Sequence, residues 1–167
     1  MTGFSIATMR RTSSTLGASG PTANRVSRTV VEWFNADLMS DAIVYVDTSE
    51  VREGAVEELK SGMKELADFV AANEPRIVAY NVYFSADGST MTVVHVHPDS
   101  ASLEFHLEVA GPFFRRFADL VTLSSIQIYG EPGEDALKHA HGKARLLGSG
   151  DVEAHALHAG FTRFAVN

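Results

Sequence analysis

A two-layer α+β fold is predicted from three features of residues 42–130: an amphipathic helical period after a first apolar strand, an Asp87-Gly88 hairpin signal between two alternating strands, and an aromatic-rich second helix before a closing strand. The order strand, helix, strand, strand, helix, strand makes a ferredoxin-like βαββαβ unit, a four-stranded antiparallel sheet with both helices on one face. The other face is left open. A further helix and strand are expected beyond residue 130.

Residues 42–47, Ala-Ile-Val-Tyr-Val-Asp, read as the first strand, and Thr48 and Ser49 offer an N-cap for the helix after it. In that helix Val56, Leu59, Met63, Leu66 and Val70 recur at steps of three and four, with Glu57, Glu58, Lys60, Lys64, Glu65 and Asp68 between them. Asn73, Glu74 and Pro75 end it, because a residue before proline is pushed out of the helical region. Residues 76–85 and 90–97 read as strands joined by Ala86-Asp87-Gly88-Ser89. Sorted by alternation, Val78, Tyr80, Val82 and Phe84 with Thr92, Val94 and Val96 are expected under the helices. Tyr45, Asp47, Asn81, Tyr83, His95 and His97 are expected on the open face. Pro98-Asp99-Ser100 caps the second helix, which carries Leu103, Phe105, Leu107, Phe113, Phe114 and Phe117 and kinks near Gly111-Pro112. Residues 123–129 close the sheet with Ser125, Gln127 and Tyr129 on the open face. Residues 134–147 form the extra helix, and residues 160–164 the extra strand.

Composition excludes several functions. The chain has 167 residues, no cysteine and a formal net charge of −7. Disulfides, thiolate metal sites and a cysteine nucleophile are chemically impossible, and the absence fits a cytoplasmic location. Nucleic-acid binding needs a concentrated Lys/Arg surface that is not present. The apolar runs are too short to span a bilayer, so no membrane partner is expected.

Residues 1–38 differ from the rest, with four arginines against two carboxylates and a Ser/Thr/Gly-rich run over residues 11–29. Such a segment buries too little to offset its ordering entropy and is expected to be a disordered extension before a domain of residues 39–167. Arg10-Arg11 lacks the apolar stretch that an export signal needs after it. Met39-Ser40-Asp41 reads as the natural start, with Trp33 and Phe34 either outside the functional protein or docked on its core.

The βαββαβ order, the His97-Pro98-Asp99-Ser100 lead into an aromatic helix and the Ile128-Tyr129-Gly130-Glu131-Pro132 exit together resemble the antibiotic biosynthesis monooxygenase family of dimeric α+β barrels, over roughly residues 41–132. The resemblance implies a homodimer joined through open sheet faces, and a cofactor-independent monooxygenase acting on an aromatic, quinol-type small molecule in a cavity on that face. It implies no cofactor and no metal. Asn81, His95 and His97 are then the candidate catalytic residues, with Tyr45, Tyr83, His106, Phe113 and Tyr129 candidates for substrate binding. The tryptophan usual in such cavities is missing, since Trp33 falls outside the matched region. A non-catalytic small-molecule-binding or regulatory dimer of the same fold is the alternative. His95 and His97, at i and i+2 on a strand, point to one side and are also candidate metal ligands with Asp47 or His106 as a third. His139 and His141 are expected on the surface, and Arg115-Arg116 either hold an anionic substrate or form the polar side of their helix.

Overall fold

The computed structural model describes residues 42–162, so the 1–38 extension, with Trp33 and Phe34, lies outside the described residues. Among these, β1 (Ile43–Val51), α1 (Val56–Asn73), β2 (Ala79–Phe84), β3 (Thr90–His97), α2 (Ser100–Val109), α3 (Gly111–Phe117), β4 (Val121–Tyr129), α4 (Glu134–Leu147) and β5 (Gly148–His155) follow in order. The strands lie in one open sheet of order β2-β3-β1-β4-β5. Its first four strands pair antiparallel in the ferredoxin-like pattern, and β5 adds a parallel edge beside β4.

Helix α1 buries Leu59, Met63, Leu66 and Val70 of the stripe its sequence period announces, together with Gly62, while Val56 at its start is only half-buried. Gly62 permits a close approach: a Cβ there would stand 2.7 Å from the ring of Phe117 on α3. Thr48 and Ser49 do not cap this helix. β1 runs through both, pairing them with Thr92 and Met91, and α1 starts after Ala55 with no side-chain cap. Asp99 does cap α2, its Oδ1 accepting from the Ser102 amide at 2.9 Å. The expected kink is a full break at Ala110, with Pro112 in the first turn of α3 where its missing N–H costs nothing.

The extra strand lies earlier than expected. β5 follows α4 directly, its Gly-Ser-Gly-Asp start reading as a turn although it pairs with β4, and residues 160–162 are not in a strand. Residues 163 and 164 lie outside the described residues.

The hairpin corrects the expected sorting of side chains. Ser85 and Thr90 bracket a four-residue loop in which Gly88 takes φ +74°, and the register below it pairs Phe84 with Met91, Val82 with Val93 and Tyr80 with His95. Directly paired residues share a face, so even positions of β2 face the same way as odd positions of β3. Tyr80, Val82 and Phe84 do lie on the helix side, but their companions are Met91, Val93, His95 and His97. Thr92, Val94 and Val96 take the open face instead. β1 follows β3, because Tyr45 pairs with His95 and Asp47 with Val93. Tyr45, Asp47, His95 and His97 are therefore buried beneath the helices, whereas Asn81, Tyr83 and Tyr129 stay on the open face.

Candidate functional site

The odd-numbered side chains of β1 and β3 meet Tyr80 of β2 and one flank of α2 in the core, and the result is a cluster of polar rings. Ser102 and His106 stand four residues apart on α2 and so face the same way. The ring centroids of His95 lie 4.2 Å from Tyr45, 4.6 Å from His106 and 5.0 Å from His97, and Tyr80 lies 5.5 Å from His106. Two hydrogen-bonded chains run through the cluster. In one, His95 Nδ1 and His97 Nε2 share a bond of 2.7 Å, and His97 Nδ1 bonds Ser102 Oγ at 3.0 Å. In the other, His106 Nδ1–H donates to the Glu74 carboxylate at 2.8 and 3.1 Å. Glu74 reaches inward because Pro75 turns the chain out of the helix there, and it is buried as fully as its partner.

Burial governs the charge states. It holds His95 well below the ordinary histidine range, with His106, His97 and Lys143 adding to the effect. His97 is pushed down to about 3, again mainly by burial and then by His106. Both imidazoles are neutral near pH 7. Burial, with Asp47 nearby, likewise holds the Tyr45 and Tyr80 hydroxyls protonated. Neutral His95 and His97 have two tautomeric arrangements, one leaving a bare Nε2 at the deep end of the chain and the other an N–H. Among the described residues, His95 Nε2 and the Tyr45 hydroxyl are buried with no hydrogen-bond partner. A few ångströms away, Lys143 of α4 donates to Asp47 at 2.6 Å in a buried pair, with its ammonium 5.2 Å from the Tyr45 ring.

Both chains end at one cavity. It holds about 330 Å³ and is lined by Glu74, Pro75, Arg76, Ile77, Ala101, Ser102 and Phe105, an apolar wall with the ends of the two relays set into it. Deeper in, between sheet and helices, only about 20 Å³ remains among Asp47, Ser49, Tyr80 and Lys143.

The structure thus gathers His95, His97, His106 and Tyr45 and leaves the other sequence candidates elsewhere. Asn81 and Tyr83 are exposed on the opposite face of β2. Tyr129 stacks on His155 at 4.9 Å on the open face, and Phe113 packs against Phe69 at 5.0 Å. His139 and His141 are exposed. His95 and His97 bond each other instead of converging on a common point, and no group of three or more metal-ligating residues forms among the described residues. Sequence reading missed Glu74, Ser102 and Lys143 as site residues. Glu74 reads as a helix stop, and only the i, i+4 spacing of Ser102 and His106 marks one flank of α2 as polar.

No protein-family model matches the chain, and no curated protein matches it. Among solved structures, MupZ from Pseudomonas fluorescens superposes with a TM-score of 0.59 at 17% identity, over 76% of this chain and 98% of that one. A conserved protein from Methanosarcina mazei Go1 gives 0.50 at 22% identity, over 55% of this chain and 94% of that one. SnoaB from Streptomyces nogalater, a cofactor-independent oxygenase, gives 0.48 at 21% identity, over 56% of this chain and 95% of that one. At such identities the likeness concerns the backbone alone, and the chain shares a ferredoxin-like α+β fold with the first two of these structures.

Proposed function

We propose that this protein is a cofactor-independent monooxygenase that takes an electron-rich aromatic, quinol-type small molecule into the cavity between Glu74 and Ser102. The observation that carries the proposal is the convergence of two buried hydrogen-bonded chains, Glu74–His106 and Ser102–His97–His95, on one apolar pocket. In this reading Glu74 is the base at the wall, held by His106, and accepts a phenolic proton. Ser102, backed by His97 and His95, donates to the oxygen atom where negative charge develops. Such positioned acid–base groups typically give 10²–10⁴-fold. The substrate itself supplies the electrons for dioxygen. The pocket volume suits a substrate of one or two rings, and Phe105, Ile77 and Pro75 give it apolar walls.

Oxygen uptake over a panel of quinols, with the intact protein and with Glu74→Gln and His97→Gln, tests this. The expected result is consumption of at least one quinol, reduced 10²-fold or more in either variant. The tightness of the inner space beside Asp47 and Tyr80, about 20 Å³, favours a second reading, a non-catalytic binding dimer whose ligand stops at the outer cavity. That reading holds if no quinol is consumed while aromatic ligands raise the melting temperature.

The same proposal makes the protein a homodimer joined through the open sheet face, where Tyr83 and Tyr129 are about half exposed beside Val44, Val46 and Val94. Light scattering at micromolar concentration is expected to give twice the chain mass, and a monomer would overturn it.

A further inference from the structure

Nine lysines and arginines lie among the described residues, and six of them are bonded. Arg52 donates to the Ala118 carbonyl, while Lys60, Lys64, Arg76, Arg116 and Lys143 pair with Glu57, Asp68, Asp99, Glu65 and Asp47. The remaining three, Arg115, Lys138 and Arg145, have no hydrogen-bond or ion-pair partner among the described residues, and all three line one cleft. This cleft of about 700 Å³ runs between α2–α3 and α4. In a chain of net charge −7, such a concentration of unneutralised cations calls for a cause.

Geometry sets the shape of what fits. Lys138, Gly142 and Arg145 fall at i, i+4 and i+7 on α4, along one helix face, so the two cations are about 10 Å apart along the axis. Arg115 comes from α3. Between them lie Leu107, Pro112, Phe114 and Leu146, and Glu108 is the one carboxylate in the lining. The helix dipole accounts for Arg145 in the last turn of α4, but it disfavours Lys138 near the start of the same helix.

We propose that this cleft binds an amphipathic organic acid, its carboxylate or phosphate held by Arg115, Lys138 and Arg145 and its apolar body laid along Leu107, Pro112, Phe114 and Leu146. The site shares no lining residue with the Glu74–Ser102 cavity and stands or falls independently of the function assigned there. Lys143 and Phe114 line both the cleft and the small space above Asp47, so an occupant rests over the buried Lys143–Asp47 pair.

Titration calorimetry with decanoate, decyl phosphate, inorganic phosphate and decanol tests the proposal on the full chain. At least one of the two amphipathic anions is expected to bind saturably below about 1 mM, and decanol and inorganic phosphate much more weakly. Single changes Arg115→Gln, Lys138→Gln and Arg145→Gln should each weaken Kd roughly 3- to 10-fold, with the melting temperature unchanged because none of the three has a partner to lose. The double variant Lys60→Gln/Lys64→Gln removes twice the charge of any single cleft change, but elsewhere, and should bind as the wild type does. Which anion binds decides between a carboxylate and a phosphate head. The proposal is overturned if neither anion binds by about 1 mM, if decanol or inorganic phosphate binds as tightly, or if the cleft variants keep the wild-type affinity.

Discussion

Acidification from pH 7.5 to pH 5 should destabilise this fold through two buried histidines. His95 and His97 are fully buried, and burial pulls both below the ordinary value, His97 to about 3. The groups facing them are Tyr45 and Asp47 from β1, Glu74 at the end of α1, Tyr80 from β2, Asp99 and His106 at and on α2, and Lys143 from α4. In the unfolded chain each imidazole titrates near 6.5. Between that value and the depressed folded value the unfolded state holds more protons, so stability is complete above about pH 6.5 and falls as pH drops toward 3. At pH 5 the gap from 6.5 is about 1.5 units, which at 1.36 kcal/mol per unit is about 2 kcal/mol for each histidine and about 4 for the two, as an upper estimate. That is a large part of the 5–15 kcal/mol typical of a domain. Since pH 5 lies above the ordinary carboxylate range, carboxylate protonation contributes little to the difference. Urea denaturation at the two pH values, in the wild type and in His97→Gln, reads the effect. The wild-type midpoint should fall, and the variant should lose about half of that dependence. A wild-type stability that stays level or rises at pH 5 would refute the placement of both rings in the core.

Two other substitutions probe the packing around the site. Gly62→Ala sets a Cβ 2.7 Å from Phe117 and should cost roughly 1–3 kcal/mol in thermal or urea unfolding, despite alanine's better helix propensity; a gain would mean that α1 and α3 are less closely apposed. Lys143→Met leaves Asp47 a buried, unpaired carboxylate and should cost roughly 3–5 kcal/mol, while Lys143→Met with Asp47→Leu should recover most of it; a loss below about 1 kcal/mol in the single variant would place the pair in water.

The architecture was legible because its signals are local. The period of α1, the Asp87-Gly88 turn, the Asp99 cap and the span of α4 each depend on residues within a few positions of one another. The site was harder, and for a definite reason. In β1 and β3 both alternating sets contain apolar residues: Ile43 and Tyr45 against Val44 and Val46, and Met91 and Val93 against Val94 and Val96. Hydrophobicity alone therefore does not choose the inward set, and histidine, ordinarily partly exposed, tips the choice the wrong way. The four-residue loop between Ser85 and Thr90 does fix it, since it makes even residues of β2 partners of odd residues of β3. That parity is written in the sequence. What is not written there is the inward turn of Glu74 toward His106 across 32 residues, which depends on how α1 and α2 dock.

A core that holds three histidines, two carboxylates, a lysine and two serines pays in stability for something other than folding. If His95, His97 and Ser102 serve chemistry, they should be dispensable to the fold as a set and indispensable singly. His97→Leu alone leaves His95 Nδ1 and Ser102 Oγ buried without their partner, and each orphaned group costs about 1–3 kcal/mol. Removing the whole chain as His95→Phe/His97→Leu/Ser102→Ala orphans nothing within it and returns apolar contact with Tyr45 and Tyr80. The triple variant should then be more stable than His97→Leu in urea at pH 7, should lose the dependence on pH between 7.5 and 5, and should consume no quinol. A triple variant that loses as much stability as its three single changes together would show the opposite, that the chain of imidazoles is a structural strut between β3 and α2 and that the cavity at its end has no need of it.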